Sequence, residues 1–443
     1  MAFTDALLAH SDARVVLVDR RHSPGGHWLD AYPFVRLHQP SACYGVSSRG
    51  LGEDRIDVSG INAGFYERAT SAEICDYFGR VLEDFRASER VEFLAMTDYL
   101  GHDSAGYHVR SLLTGAETTI RARKLVDATY LASEIPSRHT PPFAIDPGVR
   151  LMAPNDLVHP DEPPSGFTVI GAGKTAMDTC NWLLDAGVDP DRIRWIRPRD
   201  AWLFNRACVQ PLDLIASYMT MQAGWVEECA KATDGVDFGH RLEGHGIFLR
   251  TDPAVPPRLF RGATISVAEL EALRLLERTV RMGKVRRLGS SRMILDDGEL
   301  PHEPGEVFVD CTAAGVPVTA TRPIFEPERI TIQFVTIGFV PWSAATIGFV
   351  EAMRDDDADK NRLCPTLAFS GDIADVFSVA ASGMSGLFAR AAEPDIAAWT
   401  DSCRLNPASA AAAHLDDPGV LAAYTSIAEN LGPAMENLAR RLT

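Results

Sequence analysis

Apolar positions along this chain follow two rhythms, short unbroken runs and stripes at helical spacing. The plainest alternation of the two lies in residues 166–200. Phe167–Ile170 is a four-residue apolar run, the pattern of a strand buried on both faces. Residues 177–186, MDTCNWLLDA, then carry apolar side chains at helical spacing, and residues 191–196 return to a strand pattern. The first twenty residues repeat the second half of that order. AFTDALLAH has Phe3, Ala6, Leu7 and His10 on one helical side, and RVVLVDRR reads as a buried strand ending at Asp19. Strand, helix and strand at this spacing predict βαβ units and a parallel sheet.

The turn between strand and helix adds chemistry. Gly171-Ala172-Gly173-Lys174-Thr175-Ala176 is a GxGxxA sequence. Gly171 allows the tight turn, Gly173 lets a pyrophosphate approach the backbone, and Ala176 lets helix and strand pack closely. The helix start at Lys174 and Thr175 then faces phosphates with free N–H groups and a positive dipole end. Gly173-Lys174-Thr175 also mimics the end of a P-loop, but that motif needs glycine where Thr168 stands. After the next strand an NAD site carries an acidic residue, whereas this chain has Arg197 and Arg199. Guanidinium groups there suit a 2′-phosphate and favour NADP; the other reading is a solvated loop.

Laid over this unit, the chain's opening matches with Met1 under Met177, Leu7-Leu8 under Leu183-Leu184, and Asp19 under Arg197. The match continues downstream, where KLVDATYLASEIP (124–136) parallels VFVDCTAAGVP (307–317) and shares Val-Asp-x-Thr. Turn signals Thr114-Gly115 and Asp297-Gly298 predict a β-hairpin before each. Two dinucleotide-binding units are therefore expected. The first has no counterpart to the strand and glycine turn before Met177, and the expectation is a start at an internal methionine, with that strand upstream.

Composition narrows the picture without redirecting it. Of 443 residues, 46% are hydrophobic and 23% charged, and the net charge is −17. Such an acidic balance argues against nucleic acid or an anionic membrane as partner. The eight cysteines are scattered, with no CxxC and no Cys/His cluster at zinc spacing, so neither a metal site nor a redox dithiol is expected and a reducing cytoplasm is. The longest apolar stretch, residues 330–350, contains Gln333, Pro341 and Ser343 and reads as core strands and turns, with no membrane span.

Taken together, these motifs resemble flavoproteins with two dinucleotide-binding domains, particularly the flavin-dependent monooxygenase group. VDRRHSPGGHWLDAYPFVRLHQPS (18–41) is similar to the group's stretch after the second strand of its FAD domain. The resemblance implies that Asp19, with Arg20 beside it, holds the adenosine ribose. Gly25, Gly26 and Trp28 would pass beside the flavin with Gln39 close by; the plain reading of the two glycines is a turn. LAFSGDIADVF (367–377) is similar to the late Gly-Asp motif, placing Gly371 and Asp372 at the ribityl chain, although Asp372 could equally cap a helix. The group's FxGxxxHxxxW/P fingerprint has no match in residues 147–166, which sets the chain apart from N-hydroxylating and Baeyer–Villiger members. No cysteine pair near the flavin segment supports a disulfide reductase.

The expected fold is α/β with two Rossmann-like domains. Residues 1–150 and 316–443 would form a discontinuous FAD domain, and 151–315 an inserted NADP domain carrying a helical insertion at about 202–265. The implied function is an FAD-dependent oxidoreductase using NADPH, monooxygenase-like, on a small organic substrate. The rival reading is an NADP-binding, non-catalytic or regulatory protein with a defective flavin site. His38 and Arg138 are polar candidates near the flavin, no residue is assigned as catalytic, and oligomeric state is left open.

Overall fold

In the computed structural model, which describes residues 1–317, 321–367 and 369–442, both rhythms become βα units. The first unit runs from helix α1 (Ala2–His10) to strand β1 (Val15–Val18), then through helix α2 (Ser71–Ala87) to β2 (Val91–Leu94). A capping box starts α2, with Thr70 accepting from the Glu73 N–H and Glu73 accepting in return. An antiparallel flap of β3 (Thr97–Asp103), β4 (Gly106–Ser111) and β5 (Glu117–Ile120) follows, and β6 (Leu125–Asp127) closes the unit.

The chain crosses through β7 (Ala144–Ile145) and β8 (Arg150–Met152) into the second unit. There β9 (Phe167–Ile170), α3 (Lys174–Asp185) and β10 (Ile193–Ile196) form the βαβ core read from the sequence. Next comes a segment of β11 (Ala201–Asn205), α4 (Ile215–Lys231), α5 (Gly235–Gly244), β12 (Phe248–Leu249) and β13 (Leu259–Ile265). Helix α6 (Val267–Arg274) and β14 (Thr279–Val280) lead into the antiparallel strands β15 (Val285–Leu288), β16 (Arg292–Leu295) and β17 (Gly298–Pro301), and β18 (Val307–Asp310) ends the unit.

On its return the chain adds β19 (Phe325–Glu326) and β20 (Arg329–Thr331) beside β6. It continues with helices α7 (Val340–Met353), α8 (Asp357–Leu363), α9 (Asp375–Ala391), α10 (Pro394–Ser402) and α11 (Pro418–Leu442). The apolar stretch expected to give strands and turns is helical from Val340 onward, with Pro341 in the first turn. It is buried on all sides, so no polar stripe marked its period. Among the described residues no helix is long and apolar enough to cross a membrane.

The second unit's sheet has the order β14-β10-β9-β18-β8, all parallel. Its faces are covered by Val169, Met177, Cys180, Leu183 and Trp195 on one side and by Ile170, Ile196, Leu288, Met293 and Phe308 on the other. The expected helical insertion also holds the three-stranded sheet β12-β11-β13. Its Met and aromatic residues, among them Trp202, Phe204, Met219, Met221 and Phe238, join a core with Val376, Phe377, Met384, Ala434 and Leu438 of the C-terminal helices. Asn437 donates from its amide to the carbonyls of Cys229 and Ala232, each at 2.8 Å, fixing α11 along α4. Part of the 316–443 segment therefore packs on the insertion. β8 pairs with β18 at the edge of the second sheet.

Candidate functional site

The glycine turn at the end of β9 is shaped by its neighbours. Gly171 has φ +141°, and a Cβ there would lie 2.5 Å from the Cys311 carbonyl oxygen at the end of β18. Only glycine passes at that distance. Gly173 is the opposite case, since a Cβ on it meets nothing within 4 Å and the position opens on a cavity. Helix α3 begins after Gly173 without a side-chain cap; the Ala176 N–H donates to the Gly173 carbonyl at 3.1 Å, and the Lys174 and Thr175 N–H groups are left for a ligand. Ala176 is fully buried where helix meets strand.

Lys174 and Thr175 both line the cavity, but the Lys174 ammonium is engaged elsewhere. It pairs with Asp178 one turn along α3 and stands 3.6 Å from Glu269. Glu269 is the hub of a buried charge cluster, 1% exposed and joined to Arg206 at 2.6 Å and Arg68 at 3.7 Å. Burial acts to raise its pKa, but the Lys174, Arg206 and Arg68 cations together hold the carboxyl well below the usual range. Tyr32 donates to Asp178 at 2.8 Å, so the network ties the first unit, the glycine turn, the insertion and α6 together. Nothing local announced this cluster. Its members are far apart in sequence, and Glu269 reads as an ordinary capping-box residue, which it also is, with Ser266.

Of the two arginines proposed for a 2′-phosphate, only one faces the cavity. Arg197 is buried; its guanidinium pairs with Asp200 and Thr251 and lies 4.4 Å over the Trp195 ring. It is thus held inside the fold, whereas the expectation had both arginines meet phosphate. Arg199 is exposed and lines the cavity, as does Arg261, whose guanidinium donates to the Ala314 carbonyl at 3.2 Å.

The first unit builds the opposite wall. Asp19, Arg20, Gly26, Trp28 and Gln39 all line the cavity. Asp19 accepts from the Arg21 N–H at 2.9 Å, and Arg20 pairs with Asp98 at 3.1 Å. Gly25 and Gly26, at φ +137° and +57°, form the turn that starts the Trp28 segment; Gly25 packs behind it toward Cys75 and Leu29. Trp28 donates to the Tyr44 hydroxyl at 2.7 Å, and Gln39 to the Gly338 carbonyl at 2.6 Å. His38 is also in the wall, and burial together with nearby Lys174 pushes its pKa down to about 4, so it stands neutral at physiological pH. Arg138 is held by Asp30 at 2.8 Å.

Gly371 and Asp372 are not in the cavity wall among the described residues. Gly371 accepts from the Phe260 N–H at 3.1 Å, while Asp372 is exposed and accepts from the Ala374 N–H at 2.9 Å just before α9. The N-cap of α9 is Ala374, without a side-chain cap, so Asp372 stands in the turn ahead of the helix.

The duplication is visible in atomic detail. In the first unit Asp127 accepts from the Thr129 N–H and hydroxyl at 2.9 and 2.7 Å; in the second, Asp310 accepts from those of Thr312 at 3.0 and 2.6 Å. Asp19 N–H donates to Leu94 as Arg197 N–H donates to Val280. The strand orders also correspond, with one difference. β1 with β2 and β6 with β20 form two separate sheets, whereas in the second unit β9 joins the corresponding pairs β10-β14 and β18-β8. The carboxyl ends of both sheets, at Val18–Asp19, Asp127–Thr129, Ile170–Gly173, Ile196 and Cys311–Thr312, open on one cavity of about 2210 Å³. Small-molecule sites run to roughly 300–1,000 Å³, so this one has room for more than one ligand. No cluster able to hold a metal ion occurs among the described residues.

Two Rossmann-type units meeting at a shared cavity define the class of this protein. The chain is 42% identical over 413 residues to uncharacterized protein Rv2000 of Mycobacterium tuberculosis and to uncharacterized protein Mb2023 of Mycobacterium bovis, a match covering 92% of this chain and 75% of each relative. It belongs to the same family as these mycobacterial proteins. No family model matches it. Solved structures of related shape include a flavin monooxygenase variant from Stenotrophomonas maltophilia, at 14% identity and TM-score 0.47 over 80% of this chain and 93% of that one. Cyclohexanone monooxygenase from Rhodococcus sp. Phi1 bound to NADP+ gives 14% and 0.47 over 79% and 81%. Bacillithiol disulfide reductase from Bacillus cereus gives 11% and 0.45 over 80% and 95%.

Proposed function

We propose that this chain is an FAD-dependent oxidoreductase using NADPH, monooxygenase-like, acting on a small organic substrate. The observation that carries the reading is the duplicated sheet whose carboxyl ends share one large cavity with a glycine turn on one side and the Trp28 segment on the other. The nicotinamide nucleotide fits the second unit. Gly173 leaves open space beside an uncapped helix start, and Arg199 with Arg261 supplies positive charge at the rim. For the flavin nucleotide, Asp19 offers a carboxylate to the ribose, and Gly26, Trp28 and Gln39 offer a wall for the ring system. Together the two cofactors supply hydride transfer and, through reduced flavin, reduction of oxygen or of a substrate. The protein's share is orientation and exclusion of water, with His38 neutral in the wall between the units.

A second reading is nicotinamide nucleotide binding without flavin turnover, since the open glycine turn and uncapped helix start described here belong to the second unit. One experiment separates the two. The purified chain is mixed with FAD, freed of unbound flavin and given NADPH anaerobically. Retained yellow colour that bleaches supports the oxidoreductase; NADPH binding by a colourless protein supports the second reading.

The placement of the two arginines yields its own prediction. Arg199→Ala should weaken NADPH binding about tenfold and leave NADH unchanged, since a lost charge-assisted contact at a partly wet site is worth about 1.4 kcal/mol. Arg197→Ala should instead lower stability by about 1.5–3 kcal/mol, because Asp200 loses one buried charge-assisted bond while keeping Arg281 at 3.1 Å and Thr251 at 3.2 Å. Nucleotide titrations and urea unfolding of both variants check this. A changed NADPH/NADH ratio in a fully stable Arg197→Ala protein would return the phosphate role to Arg197.

A further inference from the structure

Resting on the cofactor reading above for what the Trp28 segment meets, we infer that Asp30 is a positioning residue. It fastens that segment to the chain's crossing into the second unit, and so sets where the ring-system wall stands relative to the nicotinamide nucleotide.

The segment has little order of its own. Gly26–Asp30 is a single 3-10 turn with no buried residue, entered through two glycines at positive φ. Its backbone bonds are long, from the Trp28 N–H to the Gly25 carbonyl at 3.2 Å and from the Ala31 N–H to Trp28 at 3.4 Å. So short a turn takes its place from what holds its ends. Trp28 is held by the Tyr44 hydroxyl. Asp30, the last residue of the turn, gathers four donors from three other segments.

Its carboxylate accepts from Arg21 Nε at 2.9 Å and pairs with Arg138 Nη2 at 2.8 Å. Its backbone carbonyl accepts from the Ser137 hydroxyl at 2.9 Å and the Asn155 amide at 3.1 Å. Ser137 and Arg138 lie in the turn Pro136–Arg138 that follows β6, and Asn155 lies in the turn Pro154–Val158 ahead of β9. The Asp30 side chain is only 14% exposed, so its bonds are charge-assisted and partly shielded from water. The Arg138 guanidinium is largely exposed, so that pair adds direction more than stability.

The fastening continues for four residues. Tyr32 donates to Asp178 on α3, and Phe34 stacks on Trp182 of the same helix, centroids 4.8 Å apart and planes at 16°. Gly26, His27 and Trp28 line the cavity, whereas Asp30 is outside its wall. One short segment thus has its first half in the candidate flavin wall and its second half on the second unit, with Asp30 at the joint. Hydride transfer depends steeply on the spacing of the two rings, and a misplacement of about 1 Å can cost about a hundredfold in rate.

The test uses the full chain carrying Asp30→Asn, which keeps the side-chain shape and the backbone carbonyl but removes the charge that faces Arg21 and Arg138. With NADPH bound, amide exchange at residues 26–31 should quicken about tenfold or more, while β9, β10 and β18 stay as in the wild type. The NADPH Kd should stay within about twofold. In flavin-loaded protein, reduction by saturating NADPH should slow about tenfold or more, a loss in kcat without a matching rise in KM. Arg138→Gln, on the exposed side of the cluster, should fold normally and give a smaller acceleration confined to the same residues. Unchanged exchange at 26–31 in both variants overturns the inference, as does acceleration spread over both sheets, which marks lost stability and not lost placement. An unchanged reduction rate in flavin-loaded Asp30→Asn also overturns it. Should Asp30→Asn fail to fold, Arg138→Gln decides by the same local exchange. In a protein that takes up no flavin, the exchange result alone decides for Asp30, and the cofactor reading falls separately.

Discussion

Gly173→Val is expected to fold normally and to lose NADPH binding by about a hundredfold or more. The backbone at Gly173, φ −87° and ψ −177°, is extended and open to any residue, and a Cβ there meets no atom within 4 Å. The only structural cost is a poorer helix start, about 1 kcal/mol. The added side chain nevertheless fills the space over the uncapped first turn of α3, where a pyrophosphate would accept from backbone N–H groups. Gly171→Val is the contrasting control. With φ +141° and the Cys311 carbonyl 2.5 Å from the new Cβ, it should damage folding itself. Melting curves and NADPH fluorescence titrations of the two variants separate the roles, and normal NADPH binding by Gly173→Val would reduce the turn to a structural one.

The second large effect is expected at Glu269. Replacing it with alanine leaves Arg206, Arg68 and Lys174 buried around a missing carboxylate, which should lower stability by about 3–5 kcal/mol. Against a total of roughly 5–15 kcal/mol, that brings the protein close to unfolding. The same group sets an acid limit. Its folded pKa lies below the ordinary value of 4.5, so its stabilisation is complete above that value and is lost as pH falls toward the folded pKa. Urea midpoints for the wild type and Glu269→Ala, measured from neutral pH to pH 3, should converge as the pH drops. A constant difference across that range would mean that the stabilisation does not come from the ionised carboxylate.

The glycine turn and the repeat were legible because their physics is local. Gly171 and Ala176 answer to close packing at a single turn, Gly173 to the open space over it, and Asp127 and Asp310 bond to threonines two residues on. Arg197 and Arg199 show where local reading stops. Both are arginines after one strand, yet one is buried by Asp200, Thr251 and Trp195 and the other reaches the cavity. Spacing could not distinguish them, because the segment that covers Arg197 arrives some fifty residues later.

By itself, then, the sequence determined the βα order, the place of the glycine turn and the existence of two copies, since each rests on side-chain period and short-range backbone bonding. Tertiary structure alone decided two things: that the insertion and C-terminal helices share one core, and that Glu269 gathers three distant cations. The reason is the same in each case. These features are contacts between segments whose separation along the chain carries no periodic signal, and burial selects them only once the units have packed.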